Sequence, residues 1–206
     1  MASVIDICNL ALSHLGEIPN LSSIDPPEGS AHAEKCARFY PIARDVALEM
    51  RNWSFALKRV KLATLPNDNT RWTFRYRRPS DCLRPIAIPQ PDLGYAGVFS
   101  VQGDVLARQM NSADFTTEQD SIYTDAPEAE LQYLFRVTDT TKFPPLFTNA
   151  VAWLLASYLA GAITRDMDVK QWAYQMFEQQ LSLSAQSVAN GSQTTNTHTA
   201  AWMRNR

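Results

Sequence analysis

Apolar and polar positions change period twice along the chain. In residues 3 to 15, Val4, Cys8, Ala11, Leu12 and Leu15 stand at i, i+4, i+7, i+8 and i+11. On a 3.6-residue repeat these form one stripe, so the pattern predicts a short amphipathic helix, with Ser3 to cap its start and Gly16 to end it. The loop EIPNLSSIDPPEG then interrupts the pattern with Pro19, Pro26, Pro27 and Gly29, and Ser30 is placed to cap a second helix reaching about Met50. Pro41 inside that helix lacks an N–H and crowds the carbonyl four residues back, which predicts a kink between Ala37 and Pro41.

After Trp53 the period falls to two. RWTFRYR sets Trp72, Phe74 and Tyr76 on one face and Arg71, Thr73, Arg75 and Arg77 on the other, as a half-buried strand requires. Runs at 55–62, 83–88, 97–102, 104–108 and 129–137 read as further strands, with SVQGDVL as a hairpin turning at Gly103-Asp104. Pro85, Pro89 and Pro91 cannot donate to a ladder and predict an edge strand. Helical spacing returns after Pro144-Pro145, giving a third helix to about Thr164. A fourth is capped by Asp168 with Gln171 and has an apolar face of Val169, Trp172, Met176, Phe177, Leu181 and Val188.

This order predicts an α+β fold: a helical bundle from the N- and C-terminal helices (1–52 and 139–189), an inserted antiparallel β domain (53–138) and an extended C-terminal tail (190–206). The third helix is apolar all round, and a bundle of four helices is expected to lack the faces to cover it. Trp153, Leu154, Tyr158 and Leu159 are therefore expected at the bundle centre and partly at a subunit contact. The same helix contains 18 consecutive uncharged residues, 146 to 163, but Thr148, Asn149, Ser157 and Gly161 within them favour a core helix over a membrane span.

Composition sharpens this picture only locally. A net charge of −2 gives the whole chain no attraction for nucleic acid or membrane. Within it, residues 51–90 carry nine Lys/Arg against two Asp/Glu, and residues 91–130 carry one against eight. These +7 and −7 stretches are expected to meet, within one subunit or head-to-tail between neighbours, with Arg75 and Arg77 at the contact. Three cysteines without short spacings, and no leader pattern in MASVIDICNL, point to a reducing compartment.

Candidate chemistry is sparse. No glycine-rich nucleotide loop occurs, and His14, His32 and His198 stand beside no nucleophile motif. His32 and Cys36 lie one helical turn apart and, with Cys8, make the sharpest metal candidate; inward packing of Cys36 is the stronger reading. Asp166 and Asp168 read as helix caps. Arginines 71, 75, 77 and 78 interleave with aromatics as in nucleic-acid binders, but alternation separates the charges from the rings. No catalytic, cofactor-binding or metal residues are expected.

Three stretches carry a resemblance: ICNLALSHLGE at 7–17, AEKCARFYPIARDVALEMRNWSFALKRVKLA at 33–63, and FPPLFTNAVAWLLASYLAGAIT at 143–164. Together they resemble the head-to-tail adaptor, or tail tubular protein A, family of short-tailed bacteriophages. The resemblance implies a structural, non-enzymatic protein of the virion, assembled in the host cytoplasm. It implies a homo-oligomeric ring, usually of twelve copies, between the portal protein and the tail nozzle, with double-stranded DNA passing through the lumen without specific binding. A connector of a long-tailed phage and a nucleic-acid-binding protein are the alternatives. Asp114, Glu118, Asp120 and Asp125 are candidates for lumen or distal-loop positions.

Residues 190–201 are almost wholly small and polar, a tether too poor in apolar side chains to fold alone. Trp202, Met203, Arg204 and Arg206 beyond it are residue types enriched in interfaces. Since related adaptors grip the portal with C-terminal extensions, these four are expected to bind the portal.

Overall fold

The computed structural model describes residues 2–89 and 112–190. The expected strands at 97–102 and 104–108, the Gly103-Asp104 hairpin, Pro91 and the tail residues Trp202, Met203, Arg204 and Arg206 lie outside the described residues.

Helix α1 (Val4–His14) starts with a reciprocal cap. The Asp6 N–H donates to Ser3 Oγ at 3.1 Å while the Ser3 N–H donates to Asp6 Oδ2 at 2.8 Å, satisfying two donors that the first turn leaves free. At its other end Gly16 takes a φ of +77°, letting the N–H groups of Gly16 and Glu17 close on the carbonyls of Ser13 and Leu12. Helix α2 (Ala31–Glu49) is capped by Ser30 and runs unbroken through Pro41. The Trp53 indole then donates to the Ala47 carbonyl at 3.0 Å, fixing the corner into the 3₁₀ turn Ser54–Ala56.

Eight strands follow: β1 (Leu57–Lys61), β2 (Thr64–Leu65), β3 (Phe74–Arg77), β4 (Cys82–Pro89), β5 (Ser112–Ala113), β6 (Phe115–Glu118), β7 (Ser121–Thr124) and β8 (Glu130–Phe135). They form two antiparallel four-stranded sheets, ordered β1-β8-β4-β5 and β2-β3-β7-β6. β8 alternates as a strand buried on both faces should: Leu131 and Tyr133 join the core between the sheets, and Leu134 joins the helical core. The β segment is thus inserted in sequence, but its first sheet is a wall of the helical body.

The edge position expected from Pro85 and Pro89 is not what the fold adopts, because β4 lies between β8 and β5. Two local features accommodate the prolines. β5 pairs only with Ile88 and Pro89, and the ladder to β8 shifts register between Pro85 and Ala87.

Helices α3 (Pro145–Ile163) and α4 (Met167–Asn190) complete the body. α3 is long and apolar enough to cross a membrane, with a mean hydropathy of 1.6, yet twelve of its nineteen residues are buried by the chain itself. α1, α2 and α4 pack around it, and Phe147 meets Trp53 edge-on at 4.9 Å and Phe55 at 5.1 Å. The argument that one subunit cannot cover this helix is therefore corrected. α4 is capped by Asp166, whose Oδ1 accepts the Asp168 N–H at 2.8 Å, instead of by Asp168 with Gln171. Its buried stripe is Ala173, Phe177, Leu181 and Ser184, rotated from the expected face so that Trp172 turns outward.

Candidate functional site

The subunit-contact residues expected on α3 divide. Leu154 and Leu159 are 0 % exposed within the single chain and have no surface left for a neighbour. Trp153 is also buried: His14, at the end of α1, stacks on its ring at 3.6 Å and 5°, and Trp172 of α4 meets it edge-on at 5.0 Å. Tyr158 is half-buried beside Phe39. The apolar surface that α3 was expected to offer is found on α4 instead, where Met167, Trp172, Tyr174 and Leu183 are exposed. The other exposed residues of the helix are Gln and Ser together with its three charged residues, Asp168, Lys170 and Glu178. Charge depletion with exposed Trp, Tyr and Met is the composition of an interface core. Counting charges as well as apolar residues along 167–190 would have found it.

A second surface gathers the arginines. Arg75, Arg77 and Arg78 line a cleft of about 500 Å³ with Leu65, Ser80 and Ser121. Two of the guanidinium groups are held by one edge. Arg75 donates to Ser121 Oγ at 3.0 Å and to the Pro66 carbonyl at 3.3 Å, and Arg78 Nη2 donates to the carbonyls of Cys82 and Leu83, each at 2.9 Å. Arg77 is exposed. Asp120 also lines the cleft, but among the described residues no carboxylate comes within salt-bridge distance of any of the three arginines. The cleft therefore keeps an excess of positive charge.

The +7 and −7 stretches do meet within the chain, as strand partners: β3 pairs with β7, and Lys61 of β1 stands opposite Glu130 of β8. Among the described residues no ion pair joins them. The pairs found are Arg44–Asp45 at 2.7 Å, Arg136–Asp45 at 2.9 Å and Lys58–Asp81 at 2.8 Å. Tyr133 also donates to Asp81 at 2.9 Å. Burial pushes the Asp81 carboxyl up, but Lys58 and Tyr133 outweigh it and hold its pKa below the ordinary value.

A third cleft, of about 560 Å³, opens between the start of α1, the loop at 23–27 and α2, lined by Val4, Ile5, Ile24, Tyr40, Pro41 and Arg44. The Tyr40 hydroxyl is buried without a hydrogen-bond partner, and burial pushes its pKa up to about 12.

Cys8 and Cys36 come together in the helical core, and His32 is only half-buried. Among the described residues no group of three or more His, Cys, Asp or Glu is placed to hold a metal ion. Of the expected strand only Phe74–Arg77 forms, with Tyr76 buried; Arg71 lies over the Trp72 ring at 5.7 Å and Arg75 over the Tyr123 ring at 5.8 Å, so arginines and rings are not separated as strict alternation requires. Compared with models of protein families and with curated proteins, the chain matches none.

Proposed function

We propose that the chain is a structural head-to-tail connector of a bacteriophage virion. It assembles as a ring, twelve copies in the family it resembles, between the portal and the tail nozzle, and double-stranded DNA passes through the lumen. The observation that carries this reading is that the three stretches of resemblance, 7–17, 33–63 and 143–164, converge on one body. They supply α1, α2 with the Trp53 corner, and α3, and α3 packs on both of the other helices. Local similarity arising by chance has no reason to converge, whereas a shared core must.

An assembly role also suits the surfaces. α4 exposes Met167, Trp172, Tyr174 and Leu183, and the arginine cleft keeps an excess of positive charge, with no carboxylate in salt-bridge distance of its arginines among the described residues. The test is attachment to portal-bearing, DNA-filled capsids, followed by co-sedimentation. The full chain should bind in many copies per portal, and a chain lacking residues 191–206 should fold but bind weakly or not at all. A full chain that ignores portals overturns the reading. Subsequent recruitment of a nozzle protein, rather than a tail-tube protein, separates a short-tailed from a long-tailed connector.

A further inference from the structure

The second sheet is unevenly charged along its strands, with three arginines against Glu118 and Asp120 at one end and carboxylates at the other. Its register sets Arg77 opposite Ser121 at one end and Phe74 opposite Thr124 at the other. The arginine cleft lies at the Arg77 end, where the Arg78 N–H also donates to the Asp120 carbonyl at 2.9 Å. At the Thr124 end Asp114, Asp125 and Glu128 are all exposed, and none has an ion-pair partner among the described residues. Phe115 pairs with Thr124, so Asp114 and Asp125 stand at the same end of the sheet. Thr124 Oγ1 donates to the Asp114 carbonyl at 2.8 Å, and the Thr73 N–H and hydroxyl both donate to Asp125 Oδ1 at 2.8 Å.

Resting on the connector reading, we propose that the Arg75, Arg77 and Arg78 cleft of one copy receives the Asp114, Asp125 and Glu128 edge of a second copy. The two surfaces are different and complementary, so the contact is heterologous. That is the kind that can close a ring, and opposite charge fixes its register while discouraging like-to-like pairing. Arginine suits the role because its planar fork can bind a carboxylate through two donors, even when a third is committed to the protein's own oxygen atoms. DNA is the poorer occupant. The whole chain carries −2 and repels a polyanion at long range. The sheet's rings at Phe74 and Tyr76 are packed into the core between the sheets, so they offer no platform for stacked bases.

Light scattering and sedimentation on the full chain test the contact. Self-association of the wild type should weaken as NaCl is added. Arg77→Glu, which loses no hydrogen bond shown in the structure, should weaken association at least about tenfold, and Asp114→Lys with Glu128→Lys should do the same. Mixed one to one, these two variants should reassociate close to the wild-type level, because each repels itself and attracts the other. Association indifferent to salt and to both charge reversals overturns the proposal, as does a wild-type chain that stays monomeric at low salt. Retention of duplex DNA that Arg77→Glu abolishes would assign the cleft to phosphates and overturn it as well. Should one variant misfold, the salt dependence of the wild type and the other variant still decide. The connector reading is judged separately, by attachment of the wild-type chain to portal-bearing capsids.

Discussion

Around α3 the described residues gather a core of twenty-eight buried hydrophobic side chains, dominated by Ala, Leu and interlocking aromatics, while the core between the two sheets has nine. The smaller core is supplemented by wiring. The Tyr76 hydroxyl donates to the Ala126 carbonyl at 2.8 Å and accepts the Ala129 N–H at 3.4 Å, Thr73 and Tyr133 donate to the carboxylates of Asp125 and Asp81, and Thr124 donates to the Asp114 backbone carbonyl. One half of the molecule is held by filled volume and the other by specific polar contacts around a modest core. This difference teaches where function can be carried. A sheet tied by side-chain hydrogen bonds can leave its arginines and carboxylates unpaired for use outside the chain.

The comparison is broken most sharply at Phe147, which touches Trp53, Phe55 and Phe143. Phe147→Ala should cost about 3–5 kcal/mol in urea unfolding. A loss below about 1 kcal/mol would mean that filled volume is not what holds the helical body. Two tyrosines then test the polar half. Tyr76→Phe removes a buried hydroxyl with partners on both sides and should cost about 1–3 kcal/mol. Tyr40→Phe removes a buried hydroxyl with none and should be neutral or slightly stabilising. Equal losses at the two positions would erase the distinction. Trp172→Ala, which gives up an edge-on contact with Trp153 but was exposed, should cost about 0.5–1.5 kcal/mol by the same measurement.

The pattern of legibility follows the same division. The helices and their caps at Ser3 and Ser30 could be read because capping is a local requirement, met by a residue one to three positions away. All-round apolarity of 146–163 marked a buried helix but not what buries it; the His14 and Trp172 contacts with Trp153 come from helices more than a hundred residues apart. The β6–β7 hairpin went unread because its turn uses Gln119 at a φ of +50°, where Gly or Asn would have announced it. Pro85 misled because edge character depends on how far the neighbouring strand extends, which Pro85 does not encode. Likewise the charge asymmetry was visible as two blocks, but only the register of β3 on β7 gathers Arg75, Arg77 and Arg78 at the end where Glu118 and Asp120 also stand.

Acid pH supplies two finer probes, in separate windows. In the β half, Asp81 is held below its ordinary pKa, so its stabilising contribution is whole above the unfolded carboxylate value of about 4 and fades as pH falls through the folded one. Asp81→Asn should flatten that limb alone; an unchanged acid limb would mean that the Lys58 and Tyr133 contacts do not stabilise the fold. The effect should be small because both members of the ion pair are substantially solvent-exposed.

In the helical body the probe is His14. Burial lowers its pKa, with Nε2 buried without a hydrogen-bond partner, and the neighbouring Asn149 side chain only partly opposes this. The last turn of a helix favours a cation, so the downward shift means that desolvation against Trp153 wins over the helix dipole. The unfolded chain takes up the proton near pH 6.5 and the folded chain at lower pH. The stability contributed by neutral His14 is therefore whole above about pH 6.5 and declines as pH falls from there through the folded pKa. His14→Phe keeps a ring against Trp153 but cannot titrate. Relative to wild type, the variant should therefore gain thermal stability as pH drops from about 7 to 5, and a difference independent of pH across that range would show that the His14–Trp153 stack is not a site of proton linkage.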